Sequence, residues 1–184
     1  MSNKILIASD LHGDAACTEL LLRRFREENA DLCVLLGDLL YHGPRNDLPA
    51  GYAPKKVIEL LNGEKNTLLC VRGNCDTEVD QMVLNFPVLA DYAVLLLDGR
   101  RWYLTHGHKW NAENPLPMQE GDLLLCGHTH VPGTVAFGQG NLYLNPGSTS
   151  IPKESSPKSY LVYEDGVFYW KHLDSGEVYR THVL

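Results

Sequence analysis

The stretch KILIASDLHGD, residues 4–14, passes from an apolar run into an aspartate and a histidine two positions apart. Residues 4–9 read as a buried strand, and Asp10-Leu11-His12 stands at its carboxyl end. The same succession recurs down the chain. Gly37-Asp38 follows the apolar run at 32–36, and Gly73-Asn74 follows the run at 67–71, after Arg72. His106-Gly107-His108 follows the run ending at Thr105, and Gly127-His128-Thr129-His130 follows the run at 123–126. In open α/β sheets, ligands gather outside the carboxyl ends of the strands.

The segments between these runs set the fold class. Residues 15–28 read as a helix with Cys17, Leu21 and Phe25 on one stripe. Pro54 opens a second helix at a first-turn position, and Val57, Ile58 and Leu61 form its inner face. Asp76 reads as the cap of a third helix reaching about Leu84. Strand-helix-strand repetition implies parallel pairing with right-handed crossovers. The second half changes character. Residues 92–98 and 101–105 flank a hairpin signal at Asp98-Gly99-Arg100. Further strands are expected at 134–137, 141–144, 160–163, 167–173 and 177–183, with few helices. The pattern predicts one sheet that is largely parallel, with helices outside, and one that is largely antiparallel. Together they form a single layered α/β domain over residues 1–184. Residues 41–53 are a long Gly- and Pro-containing loop, of the kind that is functional or mobile.

Gathered on one rim, the strand ends would bring together Asp10, His12, Asp38, Asn74, His106, His128 and His130. Two carboxylates, one amide and four imidazoles suit Mn²⁺, Fe²⁺ or Zn²⁺. Seven donors exceed the roughly four of a tetrahedral zinc, so two ions sharing a bridging carboxylate use them better. Each fragment alone is weak. Asp-x-His and Gly-Asp occur in ordinary turns, and Asn74 fits a left-handed turn. The weight rests on five such placements after five apolar runs.

The net charge of −7, with no cluster of Lys and Arg, argues against stable nucleic-acid binding. An anionic substrate then needs a bound cation to supply the local positive field. With Asp10 and Asp38 as its only anions, such a site holding two divalent ions carries about +2. No apolar run approaches the roughly 18 residues of a membrane span. The apolar stretch after Met1 is too short for a signal peptide, so a cytoplasmic protein is expected. Five cysteines, odd in number and without a Cys-x-x-Cys pair, point away from a disulfide framework.

The ordered set Asp10-x-His12, Gly37-Asp38, Gly73-Asn74, His106 and Gly127-His128-x-His130 resembles the calcineurin-like metallophosphoesterases. The short chain, Gly73-Asn74-Cys75-Asp76 and Asn145-Pro146-Gly147-Ser148 are most similar to the bacterial YfcE-type phosphodiesterases. The resemblance runs from Lys4 to about Lys153. It implies a four-layer α/β/β/α sandwich of two mixed sheets with helices outside. It also implies two divalent ions, Mn²⁺ first and Fe²⁺, Zn²⁺ or Ni²⁺ as alternatives. Asp10, His12, Asp38 and His130 would hold one ion, and Asp38, Asn74, His106 and His128 the other. Asp38, Asn74 and His106 would be the catalytic centre, where a hydroxide shared by the ions attacks a small phosphate ester, a diester by preference. Many members carry histidine after Gly-Asn as an acid for the leaving group. Cys75 replaces it here, which favours substrates with good leaving groups.

His42, Arg45, Cys75 and His108 are the candidate substrate-contacting residues, Arg45 by bidentate pairing with phosphate. Other chemistries fail locally. Cys17 and Arg23 have thiol-phosphatase spacing but lie in a predicted helix without a glycine-rich cradle. Neither a Gly-x-Ser-x-Gly elbow nor a Walker loop is present. The non-enzymatic alternative is a protein-binding scaffold resembling the retromer small subunit. Residues 167–170, Val-Phe-Tyr-Trp, could serve as its partner face, against the plainer reading of a strand buried on both sides or at a homo-oligomer contact.

Overall fold

The computed structural model describes residues 4–184, so residues 1–3 of the N-terminal stretch lie outside the description. β1 (Ile5–Ala8), α1 (Ala15–Glu27), β2 (Leu32–Leu35), α2 (Pro54–Gly63) and β3 (Leu68–Cys70) alternate along the first half. Asp14 caps α1 by accepting the Cys17 N–H at 3.0 Å, and Cys17, Leu21, Leu22 and Phe25 form its buried stripe. Pro54 stands at the first turn of α2, where a missing N–H removes no helical bond. β1, β2 and β3 pair in parallel in that order, so their carboxyl ends lie side by side.

α3 departs from expectation. It is a single turn, Glu78–Gln81, capped by Thr77 in a capping box with Asp80. Asp76 is no cap. Its carboxylate is buried and turned inward, where backbone N–H groups of the β2 and β3 ends claim it.

The second half builds β4 (Tyr92–Leu97), β5 (Arg100–Thr105), β6 (Leu123–Leu125), β7 (Gly133–Phe137) and β8 (Asn141–Asn145). It ends with β9 (Ser159–Glu164), β10 (Val167–His172) and β11 (Val178–Val183). The expected division into a parallel and an antiparallel sheet does not hold. β9, β10 and β11 join the first sheet, in the order β11-β10-β9-β1-β2-β3, with β9 antiparallel to β1. The second sheet runs β4-β5-β6-β8-β7, with β5, β6 and β8 parallel. Both sheets are therefore mixed, as the family resemblance implies. Apolar periodicity reports which residues are buried and not which strand they sit beside.

The sheets stack face to face. Ile5, Ile7, Val34 and Val71 of the first meet Trp102, Leu104, Leu123 and Leu144 of the second. α1 and α2 cover the outer face of the first sheet against Leu6, Ala8, Cys33 and Leu35. On the outside of the second sheet the covering layer is the segment 107–122, which is irregular. Its Trp110, Leu116 and Met118 pack on Tyr103, Leu124 and Cys126. β10 lies inside its sheet. Phe168 and Trp170 enter the inter-sheet core, and the Trp170 indole N–H donates to the Asn145 carbonyl at 2.7 Å. Val167 and Tyr169 are half-buried, so residues 167–170 expose no contiguous apolar face.

Candidate metal centre

Parallel neighbours place the key residues. Asp10 and His12 follow β1, Asp38 follows β2, Asn74 follows β3, His106 follows β5, and His128 and His130 follow β6. Backbone pairing continues past the strands: Asp10 N–H donates to Gly37 O at 3.1 Å and His12 N–H to Asp38 O at 2.9 Å. Two bonds then cross between the sheets. His128 N–H donates to the Asp10 carboxylate at 3.1 Å, and His106 Nδ1–H to the Leu36 carbonyl at 2.7 Å.

The backbone at these positions is strained. Asp10, His12, Asp38, His128 and His130 all have left-handed φ, between 46° and 66°. Each such residue other than glycine costs about 1 kcal/mol or more. Asn74 does not share this conformation, contrary to the turn reading of that residue. Glycines are needed where strand ends crowd. A Cβ on Gly73 would sit 2.1 Å from an Asp38 carboxylate oxygen, and one on Gly127 would sit 1.9 Å from Ser9 Oγ.

The imidazoles are oriented from behind. Nδ1 of His12, His106 and His130 each meets a backbone carbonyl, of Tyr41, Leu36 and Ile151, at 2.7 Å. A carbonyl only accepts, so each Nδ1 carries a hydrogen, and Nε2 is the ring atom left to face a cation. Those atoms converge. His12 Nε2 is 3.3 Å from His130 Nε2 and 3.6 Å from Asp10 Oδ1, which itself has no hydrogen-bond partner. His130 Nε2 lies 3.3 Å from the same oxygen, and His12 Nε2 lies 3.7 Å from Asp38 Oδ2. On the other side of Asp38, His106 Nε2 is 3.5 Å from Oδ2 and 3.1 Å from Asn74 Oδ1, with His128 Nδ1 at 3.2 Å. Bare acceptors aimed at one another in a buried site repel unless cations or protons lie between them. The donors fall into two groups sharing Asp38, a set suited to divalent cations.

The other candidates divide. Arg45 and Cys75 line the cleft with His12, Asp38, Asn74, His128 and His130. His42 is absent from that lining and stacks edge-on between Tyr41 and Tyr52. His108 is also absent from it. Its ring lies 5.4 Å from His106 and 6.1 Å from His128, and burial followed by repulsion from those rings pushes it down to about 4. Cys75 Sγ comes near enough to His12 and Asp38 to complete a third donor group. Burial and then the Asp38 charge push its thiol up to about 12.

Three features escaped the sequence reading. The Asp76 carboxylate accepts N–H bonds from Asp38 at 2.8 Å, Leu39 at 2.9 Å and Gly73 at 2.7 Å. Its signal was its place directly after Gly73-Asn74-Cys75. Ser148 and Ser150 hydroxyls both donate to the Asp10 carbonyl, at 3.0 and 2.8 Å, and so hold the Asp10 turn. Lys153 lines the cleft from outside any motif.

The model of the calcineurin-like phosphoesterase superfamily domain matches residues 4–165. The chain belongs to that superfamily. This phosphoesterase is 48% identical over 165 residues to "Phosphodiesterase YfcE" of Escherichia coli K12, with 89% of each chain covered. A solved structure of YfcE, described as a phosphoesterase from E. coli, covers 98% of both chains at a TM-score of 0.94 and 43% identity. Vps29 of Entamoeba histolytica, solved with zinc, shares the fold at a TM-score of 0.59 and 19% identity, with 98% of both chains covered. Membership implies divalent metal ions, and the donor groups of this phosphoesterase suit them.

Two outcomes follow for the metal-free protein. Burial lowers the His106 pKa, but the Asp38 hydrogen bond and the charges of Asp10 and Asp38 outweigh it and lift it to about 9. A raised pKa means that this proton stabilises the fold fully below the unfolded value of about 6.5. That contribution fades as pH rises through about 9. A cation must displace the proton, so Mn²⁺ affinity measured by calorimetry should rise about tenfold per pH unit from 7 towards 9. A flat profile contradicts this. Asp76→Asn swaps an acceptor for a donor facing N–H groups. It should lower unfolding free energy by about 1–3 kcal/mol in denaturant titrations and weaken Mn²⁺ binding. Wild-type values for both would remove Asp76 from the support of the site.

Proposed function

We propose that the chain is a metal-dependent phosphodiesterase using two divalent ions, Mn²⁺ foremost. The observation that carries this reading is the pair of donor groups sharing the Asp38 carboxylate. Asp10, His12, Asp38 and His130 would hold one ion, and Asp38, Asn74, His106 and His128 the other. When bound, the ions supply a nucleophile from water near neutral pH and neutralise charge on the phosphoryl oxygens.

The chain's own residues do the rest. The Tyr41, Leu36 and Ile151 carbonyls fix the orientation of three imidazoles before any cation arrives, so that Nε2 of each faces the site. Asp38 stays ionised: burial alone would raise its pKa, but the hydrogen bond and charge of His106 hold it below the usual value. Arg45, exposed at the cleft, offers a planar fork to an anionic group of the substrate. A Cys75 thiol near 12 is a poor proton donor at neutral pH, so departure of the leaving group rests on its own stability.

The substrate is a small phosphate ester, for which the relative at 48% identity, named a phosphodiesterase, supports a diester. The five cysteines are unpaired and buried, in keeping with a reducing, cytoplasmic setting. Among the described residues, no helix is long and apolar enough to cross a membrane. The scaffold reading lacks comparable support, since a surface that only docks a partner has no use for seven converging donors.

Chelator-treated protein should lose hydrolysis of bis(4-nitrophenyl) phosphate and regain it with Mn²⁺. Asp38→Asn should lose at least one ion by elemental analysis and nearly all turnover. Two ions retained with near-normal turnover would refute the bridging role.

Cys75→Ser should keep most activity on that nitrophenyl diester, whose leaving group needs little protonation. Cys75→His should selectively accelerate esters with alkyl leaving groups, because imidazole supplies the missing acid. Complete inactivation by Cys75→Ser with both ions bound would make the thiol catalytic instead.

A further inference from the structure

Two cations stand at the mouth of the cleft without anionic partners. Arg45 and Lys153 line it together with His12, Asp38, Asn74, His128 and His130, and come from separate loops. Among the described residues, neither takes part in an ion pair, whereas Arg72, after β3, pairs with Glu78 at 3.6 Å. Lys109 and Lys158 likewise pair, with Asp91 at 2.9 Å and Asp14 at 3.9 Å. In a chain of net charge −7, two unpaired cations lining one opening place positive charge there.

Both are presented by braced turns. Arg45 lies in the turn closed by Asn46 N–H to Gly43 O at 3.4 Å, with Asn46 Nδ2 donating to His42 O at 2.7 Å. Lys153 heads the turn closed by Ser156 N–H to Lys153 O at 3.0 Å. The central residues of that turn, Glu154 and Ser155, are both left-handed, with φ of 54° and 58°. Two consecutive non-glycine residues in that region carry strain of about 1 kcal/mol or more each. The Lys153 N–H also donates to the His130 carbonyl at 3.2 Å, so the turn is fastened to a residue of the donor set.

The reacting phosphate does not need these charges. Two divalent ions with Asp10 and Asp38 leave about +2, which a mono-anionic diester and an anionic nucleophile cancel. Arg45 and Lys153 remain in surplus. We propose that they form a subsite for a second anionic group on the substrate, a phosphate or carboxylate carried by the ester's organic part. The subsite rests on the phosphoesterase reading for the position of the first phosphate. Lys153 becomes a specificity-determining residue.

The test is direct binding. Calorimetry on Mn²⁺-loaded protein should compare α,ω-alkane bisphosphonates and ω-carboxyalkyl phosphonates of two to six carbons with alkyl phosphonates of equal length. At least one chain length with a second anion should bind about fivefold tighter or more, the scale of one exposed charge pair. That preference should shrink with added salt. Arg45→Gln and Lys153→Gln should each lose most of it, and Lys153→Arg should restore it. Equal affinity with and without the second anion in the wild type, or a preference unchanged in both glutamine variants, overturns the subsite. Because this reads binding, preferential binding in a protein that hydrolyses no diester would refute the phosphodiesterase reading and leave the subsite standing.

Discussion

A single buried carboxylate joins the ends of two strands. Asp76 accepts N–H bonds from Asp38, Leu39 and Gly73, so the loop after β3 is tied to the loop after β2. The knot fixes where Asp38 points. Asp38 in turn accepts the Cys75 N–H at 2.8 Å, which closes the connection from the other side. Burial dominates at Asp76 and pushes it up to about 6, so desolvation outweighs three N–H donors. What Asp76 contributes is the position of the strand ends that it holds together.

The same logic governs the strained turns. Five donor-bearing residues adopt left-handed backbone, and the strain totals several kcal/mol. It persists because parallel pairing of β1, β2 and β3, and of β5 and β6, over-determines the loops at their ends. Side chains that would otherwise splay are turned onto one point. Backbone carbonyls behind His12, His106 and His130 then decide which ring nitrogen faces inward. Fold and electrostatics thus meet in one demand, a compensating positive charge among the converging acceptors.

Around this centre the chain varies the chemistry. Cys75 occupies a place where an acid would serve, and its environment keeps the thiol protonated. Arg45 and Lys153 add charge where substrate enters. The centre that handles phosphorus is built from strand ends. Under the proposed reading, the groups that would select the ester, Arg45, Lys153 and Cys75, lie on turns and on the residue after Asn74, outside the sheets.

Much of this was legible from sequence. Apolar runs ending in Asp, Asn or His marked five strand ends, because burial and ligand chemistry both leave local signs. That pattern and the family's motif order point to the seven expected donors, and apolar stripes and Pro54 marked α1 and α2. What the sequence could not disclose was non-local. β9–β11 share the pattern of any antiparallel ribbon, and only pairing with β1 assigned them to the first sheet. Asp76 looked like a helix cap, since a short acidic side chain before a helical turn reads the same whether it faces its own helix or another strand. His42 and Arg45 were indistinguishable as loop residues until packing turned one against Tyr52 and left the other in the cleft. Lys153 had no motif at all. The sequence by itself determined which residues are chemically equipped and where strands end. Tertiary structure alone decided which of them face a common point, because that depends on partners far away in the chain.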